Sequence, residues 1–303
     1  TPPRLDSHRL IEEFMILANV AASEALEARR QPCMYRIHEP PDLAKLEALR
    51  PVLHELGVAI PPTGVRASDF NRVLDRTKDS PHKRLVHELV LRTQSQAQYS
   101  PVNKGHFGLA LRRYAHFTSP IRRYADLLVH RALLGPDEPG GVGRRETADW
   151  DELGERISKA ERRAMAAERD ANDRYVAAYV AGRIGAEFDG TVNGVARFGL
   201  FVTLAETGAD GLLPIGALPR DYYFHDADRH SLAGRASGRI FRLGDAITVR
   251  LVDADAITGS LGFGFVAHTP AEAAPPRGMG RGGGRPGSHG RPGGKGAGKR
   301  RRR

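Results

Sequence analysis

His116-Phe117-Thr118-Ser119-Pro120-Ile121-Arg122-Arg123-Tyr124-Ala125-Asp126-Leu127-Leu128-Val129-His130-Arg131 is the stretch from which the rest of the chain is read. Thr118 or Ser119 is a suitable helix N-cap, and Pro120 suits the first helical position, where its missing N–H costs nothing. Ile121, Tyr124, Leu128 and Ala132 then recur at helical spacing, so one face is expected in a core. Arg122 and Arg123 would fall in the first turn, where free N–H groups and the positive end of the helix dipole favour an anion. Guanidinium groups at that end make better sense as phosphate ligands than as helix stabilisers. The alternative is a solvated face on which the two arginines pair with Asp126 at i+4 and i+3.

The run HFTSPIRRYADLLVHRAL closely resembles the signature of the RNB family of 3′-to-5′ exoribonucleases, the ribonuclease II and ribonuclease R group. Two further segments carry the same resemblance. LDSHRLIEEFMILANVAA is similar to the helix that follows the acidic active-site region of those enzymes, and the first glutamate of its EE pair, Glu12, takes the position that helps hold the RNA sugar. A carboxylate can accept a hydrogen bond from the 2′-hydroxyl that DNA lacks. AERRAMAAERD resembles another RNB helix, in which the glutamate of the second AER triplet, Glu168, is a site residue. The resemblance implies processive hydrolysis of RNA to nucleoside 5′-monophosphates, with Mg²⁺ held by aspartates and an arginine, here Arg122, offsetting charge on the phosphoryl group. Arg123 is assigned to RNA binding beside it. The D-x-D pairs Asp226/Asp228 and Asp253/Asp255 fall in a small β domain and read as solvated loops, so no residue of this chain is assigned to the metal. The resemblance places those ligands upstream of Thr1.

With 303 residues, 40% of them hydrophobic, the chain can build one large domain and a small one. No run approaches about 18 apolar residues and no charged-then-apolar signal opens the chain, so neither a membrane nor secretion is supported and a cytoplasmic protein is expected. The single cysteine, Cys33, excludes an internal disulfide and a multi-cysteine zinc site, and reads as a small buried hydrophobe. The chain starts at Thr1 and enters a helix within a few residues, which reads as the C-terminal part of a longer protein. Its net charge of +10 is uneven: residues 270–303 hold eight Arg, two Lys and one Glu, a net of +9, with 11 of the 34 glycines. That composition predicts a disordered basic arm that binds phosphates without sequence preference.

The helices follow in order. Asp6 or Ser7 caps a first one with an apolar stripe of Leu10, Phe14, Leu17, Ala18, Ala21 and Ala25. Pro40 and Pro41 open a second that buries Leu43, Leu46, Leu49, Leu53 and Leu56, and short helices start at Ser68 and Pro81. His106 to Leu111 alternates and reads as a strand, after which Tyr114, His116 and Phe117 are candidates for stacking on RNA bases. A Gly/Pro-rich linker at 135–143 precedes a long helix over 147–183. There Ile157, Ala160, Ala164, Ala167, Ala171 and Ala178 form a small-residue stripe for close packing, and Glu168 borders it, where a carboxylate needs a partner.

Past Gly185 the period shortens to β runs at 188–192, 199–204, 211–213 and 246–252, separated by glycine turns, which suggests an OB-like barrel. GTVNGVARFGLFVTL followed by GADGLLPIGAL resembles an S1-type RNA-binding domain, with Phe198 and Phe201 matching its stacking aromatics. Pro214 and Gly216 stand where many members have His and Ser, and the loop Asp221-Tyr222-Tyr223-Phe224-His225 could compensate. The expected architecture is α+β: a mostly helical C-terminal part of an RNB catalytic domain over 1–184, an all-β S1-type OB fold over 185–268, and a disordered basic tail over 269–303. The expected partners are single-stranded RNA and, through the tail, a ribosome or RNA helicase, with no membrane. An exoribonuclease is the first function, and a non-catalytic RNA-binding module is the alternative for this chain alone.

Overall fold

Helix α1 (Asp6–Ala28) carries the Asp6 carboxylate in its first turn, where the dipole favours it. The computed structural model describes residues 3–80, 82–142, 149–227 and 229–270; of the basic tail expected over 269–303, Thr269 ends a strand, and residues 271–303, like the linker-to-helix junction at 143–148, lie outside the described residues. The side chains that α1 buries are Asn19, Ala22, Ser23 and Leu26. The stripe expected in the core faces the other way, with Leu10, Phe14 and Leu17 exposed together with Ile11. The face that meets helix α5 (Tyr124–Leu134) is the one small enough for close approach, at Ala22 and Ser23, and Asn19 is tolerated there because both ends of its amide are hydrogen-bonded.

Two three-residue strands, β1 (Tyr35–Ile37) and β2 (Gln98–Ser100), pair antiparallel. Helix α6 (Trp150–Val180) lies over β2, because a Cβ at Gly154 would stand 2.6 Å from the Tyr99 carbonyl oxygen and Ser158 Oγ accepts the Tyr99 N–H at 2.9 Å. Between the two strands, α2 (Leu43–Glu55), α3 (Ala67–Thr77) and α4 (Lys83–Thr93) form a separate core around Leu46, Leu49, Leu53, Phe70, Val73, Val86 and Leu89. Asp42, not the Pro40-Pro41 pair, caps α2, accepting the Ala44 N–H at 2.8 Å. Leu43 is left exposed. The strand expected at 106–111 is instead a 3₁₀ turn, Phe107–Leu109, closed by the exchange of His106 and Leu111 backbone bonds.

Of the small-residue stripe expected on α6, Ile157 packs against the core shared with α1 and α5, and the alanines do not pack. Ala160, Ala164, Ala167, Ala171 and Ala178 are exposed, and the buried residues sit at the two ends: Trp150, Gly154 and Ser158, then Ala177 and Val180. Each end belongs to a different core, the first shared with α1 and α5, the second with the barrel. A helix that is polar around its middle is what a bridge between two cores requires.

The barrel is closed, in the order β10-β5-β4-β3-β9, from β3 (Glu187–Ala196), β4 (Gly199–Leu204), β5 (Asp210–Pro214), β9 (Ala246–Asp255) and β10 (Ser260–Thr269). Inserted after β5 is a three-stranded sheet of β6 (Tyr223–Asp226), β7 (Ser231–Gly234) and β8 (Ile240–Arg242), so the loop expected at 221–225 is largely a strand. The closing strand β10 pairs parallel with β5 at Gly262 and Leu212, and Gly211 gives Phe263 its space, since a Cβ there would lie 2.4 Å from the ring. Leu200, Val202, Leu213, Val249, Leu251 and Phe263 fill the interior. No helix among the described residues is long and apolar enough to cross a membrane.

Removing the Phe263 ring leaves a cavity that the closed barrel cannot collapse. Phe263→Ala is expected to lower the unfolding free energy by about 3–5 kcal/mol in urea titration. The exposed Val252→Ala serves as the comparison and should change it by less than about 0.5 kcal/mol. Equal losses in the two variants would contradict this core.

Candidate nucleic-acid interface

The signature stretch enters α5 later than its sequence suggests. The helix begins at Tyr124 with Arg123 as N-cap, and residues 119–122 form a turn in which the Arg122 and Arg123 N–H groups bond to the Ser119 carbonyl. The cause is Asp126, whose side chain is 0% exposed. Its Oδ1 accepts the Ser119 N–H at 2.7 Å and Arg123 Nη2 at 2.9 Å, while Oδ2 accepts Arg123 Nε at 2.8 Å. A forked arginine and a backbone donor answer the buried charge and fold the turn back over the helix mouth. Ile121 was expected in the core and is 102% exposed, and Tyr124 is exposed as well. Thr118 was a candidate cap, yet its Oγ1 is buried with no hydrogen-bond partner among the described residues.

The two arginines therefore part ways. Arg123 has Nε and Nη2 engaged by Asp126, whereas Arg122 is exposed and its side chain has no ion pair or hydrogen bond among the described residues. Two other side chains, Asn19 and His130, hold the approach to this turn. Asn19 on α1 accepts the Phe117 N–H at 2.8 Å and donates to the Tyr114 hydroxyl at 2.9 Å. His130 donates to the Phe117 carbonyl at 2.8 Å and stacks on its ring, centroids 4.2 Å apart. Asn19 was not foreseen as part of the site. The available signal was a lone amide in the apolar run MILANVAA, where an unpartnered polar group would be costly.

Tyr114, expected to stack on bases, is buried instead, edge-on to His106 and His116. His116 is hydrogen-bonded to the Tyr99 hydroxyl at 2.8 Å, and Arg36 lies over the Tyr99 ring at 4.6 Å while pairing with Glu161 at 2.7 Å. The carboxylate of the AER repeat that has a partner is thus Glu161. Glu168 is exposed on the middle of α6 with no side-chain partner among the described residues, and it does not border a packed face. Glu12 is exposed on α1 in an ion pair with Arg4. Neither glutamate makes a hydrogen bond, ion pair or ring contact with the signature turn.

No group of three or more His, Cys, Asp or Glu is placed to hold a metal ion among the described residues. Asp226 caps a turn by accepting the Arg229 N–H, and Asp255 does the same for Ile257 and Thr258, while Asp228 lies outside the described residues. The donor set present among the described residues does not fit the metal that the resemblance implies. Cys33 is buried, and burial pushes its thiol up, away from nucleophilic use.

On the barrel, Phe198 in the β3–β4 turn and Phe201 on β4 are 57% and 39% exposed, edge to face at 5.9 Å. Gly199 makes this turn possible: its φ is +155°, and a Cβ would stand 2.3 Å from the Leu213 carbonyl oxygen. The Phe198 carbonyl accepts the Ile215 N–H at 2.8 Å, which ties the turn to the end of β5 at Pro214. A second exposed pair, Tyr222 and Phe224, has centroids 5.0 Å apart on the inserted sheet. Asp221 anchors it, held well below the usual carboxylate range by the Ser237 hydroxyl and the N–H groups of Ala236 and Ser237.

Burial, with Arg123 and Arg36 nearby, lowers His116 to about 3, and burial with His38 and Arg36 nearby lowers His106 to about 4. Unfolded, both titrate near 6.5. Below about pH 6.5 the unfolded chain therefore binds protons that the folded chain refuses, and stability is lost as pH falls toward about 3. His116→Gln should show a smaller stability loss than the parent between about pH 7 and about pH 4.5 in urea unfolding. An identical loss would contradict this placement.

Residues 1–135 match the RNB domain and residues 183–263 the S1 RNA binding domain. Ribonuclease R of Aquifex aeolicus is 44% identical over 251 residues, covering 82% of this chain and 36% of that protein. Ribonuclease R of Escherichia coli is 38% identical over 289 residues, covering 92% of this chain and 35% of that protein. The chain thus spans about a third of the length of these curated relatives. The apo form of Mycoplasma genitalium RNase R is 27% identical, with a TM-score of 0.80 over 88% of this chain and 42% of that one. Its complex with ribose methylated single-stranded RNA matches with the same TM-score of 0.80. A helical body with the HFTSPIRRY turn at one helix mouth, followed by a five-stranded barrel with an exposed phenylalanine pair, agrees with both matches, and the chain belongs to the RNB family, with an S1 RNA binding domain behind the RNB part.

Proposed function

We propose that this chain is the strand-holding and charge-neutralising part of a 3′-to-5′ exoribonuclease of the ribonuclease R kind. The observation that carries the reading is the exposed Arg122, without a partner among the described residues, on a turn locked by a buried carboxylate. A guanidinium held outward in this way is preorganised for a phosphate, because the turn, not the ligand, fixes its backbone. Water adds to the phosphorus, the bond to the 3′-oxygen of the preceding nucleotide breaks, that oxygen takes up a proton equivalent to the one the water gives up, and a nucleoside 5′-monophosphate leaves. Arg122 offsets the charge that grows on the non-bridging oxygens.

Within this proposal Glu12 and Glu168 accept hydrogen bonds from ribose hydroxyls, and Phe117, Phe198 and Phe201 stack on bases of single-stranded RNA. Arg123 acts through Asp126, as a positioning residue, and Tyr114 acts through Asn19. The basic tail adds phosphate affinity without sequence preference, and a cytoplasmic setting belongs to the same proposal.

Arg122→Ala, made in the full-length protein that contains this chain, is expected to lower kcat by about 10² to 10³ while RNA affinity changes little. Arg122→Lys should recover part of the rate, since an ammonium lacks the forked donor pair. Single-turnover cleavage with a folded variant is the readout, and normal cleavage by Arg122→Ala would overturn the assignment. For the 303-residue chain alone, RNA binding with no mononucleotide release would favour the binding-module reading.

A further inference from the structure

A cleft between the loop at 103–112 and the first turn of α3 has no role in the site above. It is open to solvent and has a volume of about 670 Å³, room for one nucleotide. Arg66, Lys104 and Arg112 line it and no carboxylate does. Lys104 pairs with Glu39 at 3.0 Å, whereas the side chains of Arg66 and Arg112 have no ion pair or hydrogen bond among the described residues. The nearest carboxylate on α3, Asp69, is already engaged by the Arg66 N–H and by Arg72. In the first turn of α3 the Asp69 N–H bonds to the Arg66 carbonyl, which leaves the N–H groups of Ala67 and Ser68 to favour an anion on the same side.

Another part of the lining is apolar and ring-rich, with Phe107, Val65, Leu111 and the imidazoles of His38 and His106, whose centroids are 5.1 Å apart. His38 Nδ1 accepts the Gly108 N–H at 3.0 Å, so the neutral ring carries its proton on Nε2. That nitrogen is buried and has no hydrogen-bond partner among the described residues.

The wall is also stiff. Ala110 is held in the left-handed region at φ +55°, and a Cβ on Gly108 would stand 2.8 Å from His38 Nδ1. Non-glycine strain of this sort persists where the surroundings impose it, and it is frequent at ligand clamps.

We propose that this cleft is a nucleotide subsite separate from the Arg122 turn, with Arg66 and Arg112 taking the phosphate and the ring-lined wall taking the base. The ligand chemistry is a nucleoside phosphate, which is offered both by an internal nucleotide of an RNA strand and by a free nucleoside 5′-monophosphate. Only the first source rests on the RNA-binding reading. An occupant would touch a run of rings that leads from His106 through Tyr114 to His116, at the start of the signature stretch.

The test is calorimetric titration of the 303-residue chain with adenosine 5′-monophosphate and with a single-stranded oligoadenylate, at about 0.2 M salt to suppress the tail. Three variants are compared with the parent: Arg66→Ala/Arg112→Ala, Arg112→Glu and Phe198→Ala, each checked for a parental melting curve. The double variant should lose about tenfold or more in affinity, as expected for two charge-assisted bonds, and Arg112→Glu should also bind more weakly than the parent. Loss for oligoadenylate alone assigns the cleft to the strand. Loss for the monophosphate alone assigns it to the free nucleotide. Unchanged affinity for both overturns the proposal. Oligoadenylate binding that is weakened by Phe198→Ala but indifferent to the cleft variants, with no monophosphate effect, leaves the RNA reading standing and removes this one. If the parent chain binds no oligoadenylate, the RNA reading fails, and the cleft stands or falls on the monophosphate titration.

Discussion

A carboxylate with no exposed surface controls the mouth of α5. Taking a carboxylate out of water carries a desolvation penalty of several kcal/mol, and Arg123 with the Ser119 N–H compensates Asp126 for it. Such a pair adds little net stability compared with well-packed apolar side chains, but removing one partner costs about 3–5 kcal/mol. Its effect here is geometric. By drawing Ser119 back over the helix start, it delays the helix to Tyr124 and leaves Ile121 and Arg122 on the outside of a fixed turn. Adjacent arginines thus receive opposite fates from one buried charge.

The barrel is tied to the helical body through α4. The Arg84 guanidinium donates to Thr191 Oγ1, and Arg92 Nη2 donates to the Asn193 carbonyl at 2.6 Å. Leu243 is part of the α2–α4 core, Val195 packs against it, and a Cβ on Gly244 would stand 3.0 Å from Leu85 Cβ. These contacts fall on β3 and on the turn before β9. Strand β3 also carries Gly194, whose lack of a side chain lets the Phe201 ring lie against the backbone. The exposed phenylalanine pair is therefore held by the same strand that is anchored to the helices, and α6 adds a second link by sharing one end with each core.

How far the sequence foretold this depends on the range of the interaction. Leu46, Leu49, Leu53, Phe70 and Val86 are buried where helical spacing put them, because each helix needs only its own periodicity to define a face. Periodicity does not say which face meets a partner, and on α1 the large apolar stripe is exposed while Asn19, Ala22 and Ser23 go inside. The capping rules placed the start of α5 at Thr118 or Ser119, since a carboxylate seven residues downstream that captures the Ser119 N–H is outside their reach. Strand β10 was missed because Gly262 and Gly264 interrupt its β pattern, although the neighbouring Phe263 fills the space left by Gly211. Of the site, Arg122, Phe198 and Phe201 were found from motif resemblance and are exposed; the i+3 spacing offered the Arg123–Asp126 pair but neither its burial nor its bond to the Ser119 N–H, and Asn19 acts through contacts that only the fold creates.

Residue-resolved amide hydrogen exchange on the parent chain and on Asp126→Ala tests the central claim most directly. If the buried carboxylate holds the turn, the Ser119 amide is protected in the parent and exchanges at least about tenfold faster in the variant, while the barrel amide of Val249 keeps its protection. Exchange of Ser119 at the same rate in both proteins would show that the turn, and with it the outward placement of Arg122, does not depend on Asp126.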